Sequence, residues 1–261
     1  MSDNMTDNTK RNKTNFNSPF RGLGGFFIPE TPSTNALLWD MLRKEQLPEG
    51  FVIHTDFQSA GKGQTGNSWE AERGKNLLFS LVLYPQRIPA DELFLISQIV
   101  SLAIKKALEK YTNDIEVKWP NDIYWKDKKL AGILIENSFQ AKKVKTVIGI
   151  GLNVNQKTFM SDAPNPVSLL QITGRSLNRK QLLKSITENI LELYQELNTE
   201  TIRSEYSGIL YRRDGFHTYK TETETFNAKI VTVYPDGKLE LETQSGERKG
   251  FYFKEVQFSL S

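Results

Sequence analysis

The 261-residue chain has no cysteine and only two histidines, His54 and His217. Disulfides, thiol nucleophiles and thiolate-bound zinc are therefore excluded, and too little imidazole remains for a histidine-built metal centre or triad. Long apolar runs are missing too. No window approaches the roughly 18 apolar residues of a membrane span, and the N-terminus lacks the apolar core of a signal peptide. The expectation is a cytoplasmic protein with no membrane partner. Strong charge of one sign is also absent: 34 basic and 31 acidic residues give +3, too mild to specify nucleic acid. The basic runs at Lys126–Lys129 and Lys142–Lys145 are short and read as solvated turns. Residues 1–18, rich in Asn, Thr, Ser and Lys, have almost nothing to bury and read as a solvated tail.

What is present is a globular composition, 38% hydrophobic and 11% aromatic, in which elements can be placed. Thr31–Leu47 has capping residues at Ser33 and Thr34, apolar positions at Leu38, Met41 and Leu42, and a stop at Pro48 and Gly50, which predicts an amphipathic helix. Phe51–Thr55 and Asn76–Tyr84 read as strands, and Asp91–Lys110 as a long helix with acids first and lysines last. Ile115–Trp119, Ile123–Trp125, Leu130–Glu136 and Lys145–Asn155 read as further strands, the second and third joined by the Lys126–Lys129 turn. Hairpins and crossovers together favour an α+β fold with a mixed sheet. Asn178–Tyr206 is expected to be helical. From about Gly208 short strands and tight turns, including Tyr234-Pro235-Asp236-Gly237, suggest a small β-barrel. The expected organisation is a polar tail (1–25), a catalytic domain (26–209) and a small barrel (210–261).

Two segments carry the chemistry. Gly61-Lys62-Gly63-Gln64-Thr65-Gly66 matches G-x-G-x-x-G. A dinucleotide fingerprint needs a helix after the last glycine, whereas Asn67–Lys75 is polar and leads into a strand. A protein-kinase loop would come with HRD, DFG and APE motifs, which are missing. A structural hairpin loop stays open. So does an anion site, in which glycine-freed backbone N–H groups and Lys62 face phosphate or carboxylate. In Lys118-Trp119-Pro120-Asn121-Asp122, the proline keeps Trp119 extended, so Lys118 is expected to project from a strand end. Gly132, Gly149 and Gly151 lie in neighbouring strands, suggesting either a surface cleared for a flat ligand or close packing.

Taken in order, Ser33-Thr34-Asn35, Gln58, Gly61–Trp69, Lys118–Asp122, Lys129–Glu136 and Gly149–Asn153 resemble the biotin protein ligases, from about residue 31 to the C-terminus. The resemblance implies an α/β catalytic domain of class II synthetase type with an SH3-like C-terminal barrel. It also implies a C–N bond-forming ligase that activates biotin with Mg-ATP to biotinyl-5'-AMP and transfers biotin to a lysine of a biotin carboxyl carrier protein, such as that of acetyl-CoA carboxylase. By position, Ser33, Thr34, Asn35, Gln58, Lys62, Gly63, Gln64, Lys118 and Gly132 would contact biotin. Gly61, Lys62, Gly63, Gln64, Gly66, Trp69, Asn121 and Asn153 would contact the nucleotide, Trp69 as a wall for adenine. Lys118 would be the catalytic charge on the biotin carboxylate and α-phosphate; structural readings remain for Ser33 as a helix cap and Trp69 as core. Metal ligands stay unassigned.

The loop departs from the arginine-rich form common in that family, because Lys62 and Gln64 stand where arginine is frequent; faster escape of the adenylate is expected. About thirty mostly polar residues precede the ligase-like segment, so a ligase without a DNA partner is expected, as a monomer or a sheet-extended homodimer. The rivals are a lipoate or octanoate ligase of the same superfamily, whose arginine- and glycine-rich motif is not found here, and a non-catalytic biotin or nucleotide sensor.

Overall fold

The computed structural model describes residues 24–63, 68–140, 143–160 and 165–259. The expected tail up to residue 23, and Gln64 and Gly66 of the glycine loop, lie outside the described residues.

A seven-stranded sheet organises the first two thirds of the chain. Its strands are β1 (Gly25–Thr31), β2 (Val52–Gln58), β3 (Leu77–Leu83), β4 (Ile115–Lys118), β5 (Asp122–Trp125), β6 (Lys128–Gln140) and β7 (Lys143–Leu152), in the order β1-β2-β3-β7-β6-β5-β4. Only the β1/β2 pair is parallel, so the sheet is mixed, as expected. The central β3, Leu77–Leu83, is buried at every position because both faces are covered. Val82 packs with Ile53 and Val147 under Leu38 and Leu42 of helix α1 (Thr34–Lys44). Phe79, Leu81 and Leu83 alternate to the other face and meet helix α2 (Phe94–Leu108) through Ile96, Ile99 and Ala103. Each such Leu or Phe contributes about 1.5–3 kcal/mol by leaving water.

Three elements differ from the sequence expectations. Strand β1 was not anticipated, because Pro29 interrupts GFFIPET; at a sheet edge the missing N–H costs no ladder bond, and Pro29 is skipped in the pairing with β2. The helix expected over Asn178–Tyr206 is two helices, α4 (Arg179–Glu196) and α5 (Thr199–Gly208). Leu197 turns left-handed (φ 45°) and Asn198 caps α5 by accepting from the Thr201 N–H at 3.2 Å. The short α3 (Leu169–Thr173) was also missed; Ser168 and Gln171 form a capping box and Gly174 ends it.

The chain then builds a second, five-stranded antiparallel sheet from β8 (His217–Lys220), β9 (Thr225–Val233), β10 (Leu239–Thr243), β11 (Arg248–Phe251) and β12 (Gln257–Phe258), ordered β11-β10-β9-β8-β12. Tyr219 and Phe226 stack inside it, and Tyr219 meets Phe258 edge-on. The Val117 N–H donates to Ile209 O at 2.8 Å and the Tyr211 N–H to Val117 O at 2.9 Å. The connecting segment thereby covers the β4 edge. At the YPDG turn, Gly237 (φ 90°) lies so close to Phe94 that a methyl there would overlap the ring.

Candidate active site

One pocket of about 720 Å³ lies where the N-terminus of α1, the glycine loop, β4–β7 and the second sheet converge. Ser33, Thr34, Asn35, Gln58, Lys62, Gly63, Trp69, Lys118, Asn121 and Gly132 all line it, although they come from segments up to a hundred residues apart. Gly61 and Asn153 do not reach its wall. Gly61 instead closes the root of its loop by accepting from the Trp69 N–H at 3.0 Å, alongside a bridge between Lys62 and Ser68. Asn153 is buried just past the end of β7, its N–H donating to Leu130 O and its side-chain Oδ1 without a partner among the described residues.

At one end of the pocket is a polar network. Ser33 caps α1, its Oγ accepting from the Ala36 N–H at 3.5 Å. Its successor Thr34 donates its N–H and hydroxyl to Gln58 Oε1 at 2.8 and 3.1 Å. From β3, the Ser80 hydroxyl lies 2.7 Å from Thr34 Oγ1 and 2.6 Å from Asn35 Oδ1. Asn35 Nδ2 donates to Glu136 Oε2 at 2.8 Å, and Trp39 Nε1 donates to the same oxygen at 3.3 Å. The Gln58 carboxamide thus spends its oxygen on Thr34, and its nitrogen has no hydrogen-bond partner among the described residues.

The three strand glycines have specific occupants. Gly132 and Gly151 face each other across β6 and β7, and the Trp69 indole lies over both; a methyl at either would strike it. Gly149 makes the same room for the Asn35 side chain. The cleared surface therefore holds side chains of the chain itself, so of the two readings left open by the sequence, close packing accounts for these glycines. Trp69 Nε1 is buried with no hydrogen-bond partner among the described residues. The far limb of the loop is pinned from below: Gln156 accepts from the Glu72 N–H at 2.9 Å and from Asn76 Nδ2 at 2.5 Å.

Lys118 stands at the other end. Its Nζ donates to the Tyr124 hydroxyl at 3.1 Å and lies 4.9 Å from the Tyr124 ring centroid and 5.6 Å from that of Phe258. Burial lowers its pKa from the ordinary lysine value; Asp122 opposes this, while Lys129 and Arg212 add to it. The Asp122 carboxylate is committed to Lys129 at 2.8 Å. Among the described residues Lys118 consequently has no ion-pair partner, and a desolvated cation without a carboxylate is suited to an incoming anion. Asn121, beside it, uses its Nδ2 on Ile133 O and so shapes the turn.

Sequence reasoning missed Ser80, Glu136 and the Asp122–Lys129 pair. Ser80 had a signal, being the single polar residue in LLFSLVL. It also missed the wall supplied by the second sheet, including Phe253, Val256 and Phe258, which no local motif marks.

The model of the Biotin/lipoate A/B protein ligase family matches residues 27–153. The chain is 29% identical over 218 residues to the Bifunctional ligase/repressor BirA of Bacillus spizizenii, covering 80% of this chain and 66% of that protein. It is 25% identical over 215 residues to the Biotin--[acetyl-CoA-carboxylase] ligase of Mycobacterium tuberculosis, covering 81% and 75%. The fold matches the biotin protein ligase from Aquifex aeolicus in complex with biotin and ATP, with a TM-score of 0.74 at 24% identity over 92% of this chain and 100% of that one. This chain thus spans about two thirds of the Bacillus relative's length.

Proposed function

We propose that the chain, whose residues 27–153 match the model of the Biotin/lipoate A/B protein ligase family, is a member of that family and a biotin protein ligase, an ATP-dependent enzyme forming a C–N bond. The observation that carries this reading is Lys118: a desolvated, carboxylate-free ammonium at one end of a pocket whose other end is a hydrogen-bonding network.

In the first step a biotin carboxylate oxygen attacks the α-phosphorus of ATP, forming the C(O)–O–P bond of biotinyl-5'-AMP as pyrophosphate leaves. No protein nucleophile is needed, so the work is alignment and charge. Lys118 Nζ neutralises the carboxylate and the α-phosphate oxygens as negative charge gathers there. In the second step the neutral amine of an acceptor lysine attacks the acyl carbon; AMP departs with the bonding pair and the nitrogen loses a proton, leaving an amide. The acceptor is a biotin carboxyl carrier protein.

Thr34, Asn35, Gln58 and Ser33 would receive the ureido ring of biotin, with Gly132 in the pocket floor. Burying that ring unpartnered would cost a few kcal/mol, about 2–7 by transfer data. Lipoate's dithiolane has no such groups and would leave the Gln58 nitrogen unmatched, which favours biotin over lipoate or octanoate. Lys62 and Gly63 would close over the adenylate, with Trp69 against adenine and Asn121 on the nucleotide side; Asn153, which does not reach the pocket wall, is left without a ligand contact. Magnesium fits as a passenger on the triphosphate: among the described residues no group of three His, Cys, Asp or Glu side chains assembles a cage, and Mg²⁺ ordinarily retains waters and phosphate ligands.

The division at residue 210 into catalytic and barrel domains is supported by the start of the second sheet at His217. Strand β1, an outer strand of the large sheet, is where a sheet-extended homodimer would pair. The modest net charge supports a role without DNA. Among the described residues no helix is long and apolar enough to cross a membrane.

The test is ATP–pyrophosphate exchange with Mg²⁺ and biotin, with lipoate, or with neither. Exchange with biotin alone is expected. Exchange with lipoate alone would transfer the assignment to that substrate, and exchange with neither would leave a binding protein.

A further inference from the structure

A second groove, of about 430 Å³, opens directly from the active pocket and shares Pro120, Asn121, Ile133 and Phe253 with it. Its floor is apolar, built from Leu93 and Phe94 at the start of α2 and from Ile133 and Ile135 of β6. Two aromatic rings stand on its rim, Phe139 of β6 at 60% exposure and Phe253 of the turn between β11 and β12 at 42%. Apolar surface left open on both sides of a channel is a mark of a contact site.

Charge divides the two spaces. The active pocket is lined by four lysines, Lys62, Lys118, Lys129 and Lys254, against two acids, Asp122 and Glu222, of which Asp122 is paired with Lys129, so its balance is basic, as anionic phosphates require. The groove is lined by Asp91 and Asp236 and by no lysine or arginine. Asp91 makes no ion pair among the described residues. Asp236 accepts from the Tyr252 hydroxyl at 2.8 Å and the Lys238 N–H at 3.0 Å, bonds that hold its carboxyl below the usual range. On a protein of net charge +3 this is a locally acidic path to a basic pocket.

We propose that this groove is the docking surface for the lysine-bearing turn of the acceptor protein, guiding a cationic side chain past Asp91 and Asp236 to the acyl-adenylate. The inference rests on the ligase reading. The four-carbon stem of lysine is short, so the turn that carries it must seat against the pocket mouth. The groove begins at Asn121, three residues from Lys118. Apolar residues beside the acceptor lysine pack between Phe139 and Phe253, the acids attract its ammonium before it loses a proton, and the nucleotide is kept out by like charge.

The experiment uses the full chain and its Phe139→Ala and Asp91→Lys variants, both altered at the groove and outside the adenylating machinery. Biotin-dependent pyrophosphate exchange, trapping of the adenylate by hydroxylamine, and transfer to a purified biotin carboxyl carrier domain are measured side by side. Each variant is expected to raise the KM for the carrier domain roughly tenfold, the scale of one lost anchor, with exchange and hydroxylamine trapping unchanged. An unchanged carrier KM in both variants would overturn the docking assignment. So would a change in sedimentation mass at unchanged KM, which would give the groove to a second copy of the chain. Absence of exchange in the unaltered protein would instead remove the ligase reading, and the inference with it.

Discussion

Trp119 Nε1 donates a 2.9 Å hydrogen bond to the carbonyl of Gly237, joining the segment that presents Lys118 to a turn of the second sheet 118 residues later. Trp119 is 4% exposed, so neither partner finds water as a substitute. A Trp119→Phe substitution leaves the carbonyl unmatched at a cost of about 1–3 kcal/mol. The melting temperature should fall by roughly 3 °C or more for a chain of this size, and adenylation should slow as Lys118 loses its support. Calorimetry showing an unchanged transition would sink this account.

Lys118→Met should separate activity from stability. Pyrophosphate exchange should drop by roughly 10²–10³, as when an oxyanion donor is removed. The melting temperature should not fall, because a desolvated ammonium without a carboxylate partner is a cost to folding. The wild-type rate should decline on the alkaline side at a pH below the ordinary lysine value of about 10.4, since activity needs the ammonium and burial lowers its pKa. Stability moves oppositely: between the folded and unfolded pKa values the unfolded chain binds more protons, so rising pH favours the fold.

The strand glycines should report on different substrates. A methyl at Gly149 meets Asn35 and one at Gly151 meets Trp69. Gly149→Ala should raise the KM for biotin, and Gly151→Ala that for ATP, each by about tenfold or more, because displacements near 1 Å can cost 10²-fold. Each should also destabilise by about 1–3 kcal/mol through overpacking. Steady-state kinetics with identical profiles for the two variants would contradict the assignment of Asn35 to biotin and Trp69 to the nucleotide.

Acidification should act through His54. It packs against Phe27 with 5.1 Å between ring centroids, and burial pushes its pKa down to about 4 despite Asp56. Its neutral form stabilises the fold fully above the unfolded value of about 6.5, and that contribution, on the order of 3 kcal/mol, is lost as pH falls through 4. Urea melts of the His54→Gln variant should show a flatter decline from pH 7 to pH 4 than the parent. Parallel curves would place the acid sensitivity elsewhere.

Legibility varied with how local each cause was. Helix α1 was readable because Ser33, the apolar stripe and Pro48 are neighbours in sequence. The α4/α5 break was not, because apolar positions continue through Leu197, and the break comes from left-handed backbone there together with the Asn198 cap of α5. Lys118 could be singled out from KWPND. Its desolvation by Tyr124 and Phe258 could not, since Phe258 arrives from the last strand.

The sequence by itself determined the mixed α+β class, the lack of thiol chemistry and of a histidine-built metal centre or triad, and the cluster of polar, glycine and lysine residues, because periodicity, composition and turn chemistry act over a few residues. Tertiary structure alone decided that Trp69 and Asn35 fill the space left by Gly132, Gly151 and Gly149, that Asp122 is taken by Lys129, and that the groove carries acids without lysine or arginine while lysines outnumber acids in the active pocket. Those relationships depend on strand order and on the docking of the second sheet, which are set by packing between residues far apart in the chain.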